Sequence, residues 1–192
     1  MKNYLFAFTL LCSGFATAQE ITIPEVTYRS ESDYAAQNDK VIEVVDHLRR
    51  FPADVYASRR KEAVAYLVQW LTGTPDVTVS LHEFAAPYLG YGESMAIFMG
   101  RYAQLDLQDP EADEYEKNVT ALESVAEYYL DNTDIFGRDK QLDKLVKLQE
   151  KDKLGKLVAK ELDKIEKERA KEAEATADAE EAKGDKPEQA RK

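Results

Sequence analysis

Apolar side chains recur along this chain at spacings of three and four. From Lys40 to Phe51 they are Val41, Val44, Val45, Leu48 and Phe51, and from Arg59 to Leu71 they are Ala63, Leu67, Trp70 and Leu71. From Glu93 to Leu105 they are Met95, Phe98, Met99, Tyr102 and Leu105. Tyr115, Val119, Leu122, Ala126 and Tyr129 keep the same rhythm between Glu111 and Leu130. Such spacing puts each set on one face of a helix, and that face has to be buried against a neighbour. The punctuation agrees. Ser58 is placed to cap the second helix and Gly73-Thr74-Pro75 to stop it, while Asp109-Pro110-Glu111 supplies a start for the fourth.

Two stretches break the helical period. Ile21, Ile23 and Val26 flank Pro24 in what reads as an extended N-terminal arm. Val77, Val79 and Leu81 alternate with polar residues from Asp76 to Leu81, the pattern of a short strand or an extended connection. Six residues cannot form a sheet alone. The predicted fold is therefore all-α, a helical bundle or stacked helical hairpins. A tetratricopeptide array is disfavoured, because Gly100 and Tyr102 stand two apart where that repeat requires three.

Beyond Gly137 the character changes. Leu142, Leu145, Val146 and Leu148 precede a break near Lys153 to Gly155, and Leu157, Val158, Leu162 and Ile165 follow it. After Ile165 alanine is the only apolar residue type, so the end reads as disordered or as a solvated helix with intrahelical Glu–Lys pairs. Charge divides the chain at the same place. Residues 19–138 hold 10 basic and 22 acidic side chains, whereas residues 139–192 hold 15 of each and no aromatic residue. The net charge of −11 is thus an acidic body carrying a neutral, densely charged tail. The expected layout is an acidic helical body over 19–138, charged amphipathic helices over 139–168 and a disordered or solvated tail over 169–192. An acidic body argues against nucleic acid, whose phosphates require a concentrated basic surface.

The first eighteen residues read as a secretory signal peptide. Lys2 supplies the positive end, Tyr4 to Leu11 a short apolar stretch, and Ala16-Thr17-Ala18 an A-x-A cleavage site, with cleavage between Ala18 and Gln19. The apolar stretch is far shorter than the roughly 20 residues needed to span a bilayer. Cys12 would imply a lipoprotein only with a small residue before it, and Leu11 is bulky. On this reading the mature chain is exported, periplasmic or secreted, without cysteine or membrane span.

Candidate chemistry is sparse. Gly92-Glu93-Ser94-Met95-Ala96 approaches the G-x-S-x-G nucleophile elbow, but no central strand precedes it and both histidines lie before Ser94. His82-Glu83 opens like a zincin motif, yet Ala86 stands where the second histidine belongs. His82 remains a candidate general acid or base beside Glu83 or a folded-in carboxylate, and His47 reads as structural. The acids from Asp106 through Glu116 lack the glycine of a calcium loop and contain Pro110. Asn118-Val119-Thr120 is a formal glycosylation sequon inside a strong helix pattern. No cofactor or metal is expected.

Aromatic residues are the feature that stands out. The body holds ten tyrosines, four phenylalanines and Trp70. Phe84, Tyr88 and Tyr91 cluster around two glycines, where they would either shape a recognition surface or close the core. The A-T-A-Q-E segment, W-L-T-G-T-P-D-V-T-V-S-L from Trp70 to Leu81, and L-D-K-L-V-K-L-Q-E-K-D-K-L-G-K-L from Leu142 to Leu157 resemble small exported helical proteins of unknown function from Bacteroidota-type bacteria. The resemblance implies export and an all-α fold and brings no active-site residues with it. The function expected is a non-enzymatic binding module of the cell envelope, its partner an envelope or secreted protein. The alternatives are a small hydrolase using Ser94 or His82, and a small-ligand or cation binder. Oligomeric state is left open.

Overall fold

The structure, a computed structural model, describes residues 21–184, with side chains as far as Ala175. The proposed leader, with Cys12, Ala18 and Gln19, lies outside the described residues. Among the described residues seven helices follow one another: α1 (Glu31–Ala35), α2 (Asn38–Arg50), α3 (Ala57–Gly73), α4 (Ser94–Gln108), α5 (Glu114–Phe136), α6 (Lys140–Glu150) and α7 (Leu154–Gly184). A 3₁₀ turn, Ala86–Tyr88, precedes α4. No strand occurs among the described residues, and the fold is an all-α bundle. Ile21 to Arg29 carry no regular secondary structure, and residues 77–81 form a connection rather than a strand.

Two helix starts differ from the sequence expectation, and at α5 a better cap is the reason. α3 begins before Ser58, after Tyr56, whose φ of 56° is left-handed. α5 begins not at Asp109-Pro110-Glu111 but at Asp113, whose carboxylate accepts from Glu116 N at 2.8 Å while Glu116 accepts from Asp113 N at 3.1 Å. This reciprocal box satisfies two donors that a helix start otherwise leaves open. Asp109 instead terminates α4. The break after α6 is a Schellman turn: Lys153 N donates to Leu148 O, Asp152 N to Gln149 O, and Asp152 takes the left-handed conformation (φ 54°). Gly155 lies inside α7, where the Tyr115 hydroxyl occupies the space a Cβ would need.

α4 is central and packs on α2, α3 and α5. Gly100 permits that crowding, since a Cβ there would lie 2.9 Å from both Leu67 Cδ2 and Val45 Cγ2. The core joins Val41, Val44 and Leu48 of α2 to Leu67 and Trp70 of α3, Phe98 of α4 and Leu122 and Val125 of α5. α6 and α7 pack on α5, so Leu142, Leu145, Leu154 and Val158 belong to this same core. The change of charge near Gly137 falls in the α5–α6 loop and is no boundary in the packing. Past Ile165, α7 carries only exposed side chains through Ala175. None of the helices among the described residues is long and apolar enough to cross a membrane.

Candidate functional site

The residues singled out in the sequence are not brought together at one place. Ser94 opens α4, fully buried, and its Oγ makes no hydrogen bond. Neither imidazole activates it, and the nucleophile elbow is not formed. His82 is buried at the end of the connection, where its ring stacks on Phe84 at 5.4 Å and Nε2 meets Glu114 Oε1 at 2.6 Å. Glu114, in the first turn of α5, is the folded-in carboxylate that the sequence could not name. Burial opposes ionisation of Glu114, but hydrogen bonds from His82 and Ser80 outweigh it and hold the carboxyl below its ordinary value. The cluster clasps the connection to α5. It has the acid–base pair of a catalytic site without a nucleophile bonded to it.

Phe84, Tyr88 and Tyr91 do not form one surface. Tyr88 is buried in the core, and Phe84 and Tyr91 are half-buried against it. Tyr91 packs edge-on against Tyr129 and Phe136, and its single O–H lies within donating distance of both Gly137 O (3.0 Å) and Asn132 O (3.2 Å). It closes the end of α5. Asn118 of the sequon is fully buried, with Nδ2 bonded to Glu114 O, and so is closed to glycosylation. His47 is buried beside the Phe51 and Tyr56 rings. No group of three or more His, Cys, Asp or Glu side chains able to hold a metal ion occurs among the described residues.

Among the described residues the most deeply buried charge is Arg60, with no exposed surface. Its guanidinium donates to Phe51 O at 2.7 Å and Leu48 O at 3.0 Å, and to Glu93 Oε2 through Nε at 3.0 Å. It thus satisfies carbonyls at the α2 C-terminus while its pairing with Glu93 ties α3 to the start of α4. Tyr128 completes the junction by accepting from Glu93 N at 3.2 Å. Every element here is held by another, as befits a structural node.

The accessible feature is the outward face of α3. Ala63, Tyr66, Leu67 and Trp70 are buried, yet Val64 and Leu71 are only half-buried and Ala65 and Val68 are exposed. α3 is therefore apolar on two sides. Three shallow depressions adjoin along it. One of about 580 Å³ is lined by Lys61, Val64, Ala65, Val68, Gln69 and Glu93. One of about 430 Å³ lies between α3 and the connection, with Val77, Val79 and Met99 in its walls. One of about 490 Å³ lies on the other flank, against Val26, Tyr28 and Tyr34. The signal was present in the sequence as the run A-V-A-Y-L-V from Ala63 to Val68, too apolar for a helix with a single buried stripe. Compared with known proteins, the chain matches no family model, no curated protein and no solved structure, so the resemblance to exported Bacteroidota-type proteins has no relative to be measured against.

Proposed function

We propose that this is an exported, non-enzymatic binding module that engages an envelope or secreted protein through the outward face of α3. The observation that carries this reading is the second apolar side of that helix. Exposed apolar side chains in a contiguous trough mark interaction surfaces more often than isolated ones do. Val68 is 43 % exposed at its centre, and Met95, one turn before Met99 on α4, is 46 % exposed. Met99, which lines one of the depressions, can adapt its side chain to a partner's shape. The polar clusters support the same reading: Arg60–Glu93 and His82–Glu114 each join elements of the fold.

The test is site-specific photo-crosslinking in cells producing the full chain. A photoreactive residue at position 68 should give discrete adducts, and one at Glu43, exposed on α2, should give none. Absence of adducts at position 68 would overturn the reading.

A further inference from the structure

We infer that the partner on this face is a second copy of the same chain, with the two α3 helices packed antiparallel about a twofold axis near Val68. The inference rests on the α3 face being a binding surface and adds which molecule covers it. Lys61, Ala65, Val68 and Thr72 are spaced four, three and four apart, so they form one ridge along the solvent side of α3. All four are exposed. The ridge is low in the middle, where its residues are alanine and valine. Depressions lie on both of its flanks, one against Tyr28 and Tyr34 and one against Val79 and Met99. A ridge bordered by grooves is what helix–helix packing uses, each helix laying its ridge into the other's groove. A twofold contact further requires the surface to complement itself, residue i meeting j while j meets i.

The charges supply that self-complementarity. α3 carries Arg59, Arg60 and Lys61 directly after Ala57 and Ser58 and has no acidic residue in its first turn, so cations stand near its positive dipole end. Arg60 is consumed by the buried node, and Arg59 pairs with Glu62. Lys61 has no ion-pair partner among the described residues, although the body around it is acidic. The opposite end of α3 has no basic residue in its last turn, and exposed Asp76 follows three residues beyond it. Lys61 stands about 10 Å along the axis on one side of Val68, and the negative helix end with Asp76 stands on the other. An antiparallel copy brings each Lys61 to the other chain's C-terminal end and Asp76, twice over. A parallel copy would set Lys61 against Lys61.

Sedimentation velocity on the full-length chain tests this, with circular dichroism melts to verify folding of each variant. The wild type should show a concentration-dependent monomer–dimer equilibrium. Val68→Glu, at an exposed position, should melt as the wild type does and sediment as monomer. Lys61→Glu and Asp76→Lys each place like charges across the contact twice, and each should weaken self-association by about tenfold or more. Mixing those two variants should restore dimer. In the mixed pair the introduced glutamate of one chain faces the introduced lysine of the other, and the retained Lys61 faces the retained Asp76. That recovery does not depend on how Val68→Glu behaves. A wild type that stays monomeric throughout the micromolar range, or a mixture no more dimeric than its components, would overturn the second-copy inference. The crosslinks at position 68 separate the two failures. Adducts to a different protein from a monomeric chain would overturn only the second copy, and no adducts at all would overturn both readings.

Discussion

Arg60 concentrates several interactions in one side chain, and its replacement should be costly for that reason. Removing the guanidinium leaves Leu48 O and Phe51 O without their donor and Glu93 without its cation. Arg60→Met should therefore destabilise the chain by about 3 kcal/mol, read from the shift of the urea midpoint. Glu93→Gln removes the counter-charge of the buried guanidinium but keeps an amide oxygen that can accept from it, and leaves the bonds to Leu48 O and Phe51 O in place, so it should cost less than the arginine change. Glu114 gives a prediction in pH. Its carboxyl is held below its ordinary value because the bonds from His82 and Ser80 outweigh the burial that opposes them. A depressed acid contributes stability that is present above its unfolded value and is lost as pH falls through the folded one. Thermal stability should thus fall on acidification below about pH 4.5, the ordinary value for a glutamate. In Glu114→Gln this part of the acid loss should be absent, which melts between about pH 3 and 6 would reveal.

At the scale of the helices, crowding decides more than propensity. Alanine at position 100 would favour α4 by about 1 kcal/mol over glycine. The new methyl would however press at 2.9 Å on Leu67 and on Val45, a β-branched side chain with little freedom to turn. Overpacking of this kind costs about 1–3 kcal/mol, so Gly100→Ala should lower Tm despite the better helix former. Asp113→Ala tests the other kind of control. It removes the acceptor for Glu116 N and one half of the capping box, and should cost about 1 kcal/mol. Pro110→Ala should have little effect by the same measurement, since Pro110 lies outside both α4 and α5.

For the whole molecule, the charge map and the packing map disagree, and packing governs stability. Cutting the chain at residue 138 would separate the acidic body from the neutral tail. It would also strip Leu142, Leu145, Leu154 and Val158 from α5 and expose the face they cover. At roughly 2 kcal/mol for each buried side chain, that loss approaches the total stability of an ordinary domain. The fragment 19–138 should not fold, as judged by near-ultraviolet circular dichroism. Truncation after Ala170 removes only side chains that are exposed as far as Ala175, and should leave Tm unchanged. Mass spectrometry of exported protein should find Gln19 at the N-terminus; Met1 there would refute the leader.

The all-α class and the helix positions were legible in the sequence, because amphipathic spacing is a property of neighbouring residues. The second apolar side of α3 left a signal in the unbroken run from Ala63 to Val68, but a reading by spacing takes only the stripe of Ala63, Leu67, Trp70 and Leu71 and passes over it. The pairing of His82 with Glu114 and of Arg60 with Glu93 came only with the tertiary structure, since each joins residues 32 or 33 positions apart. So did the burial of Tyr88 apart from Phe84 and Tyr91, and the inclusion of α6 and α7 in the core. An apolar stripe demands a partner but carries no label for which one. Only the packed chain decides that α5 takes α6 and α7, and that Ala65 and Val68 on the outward side of α3 stay exposed.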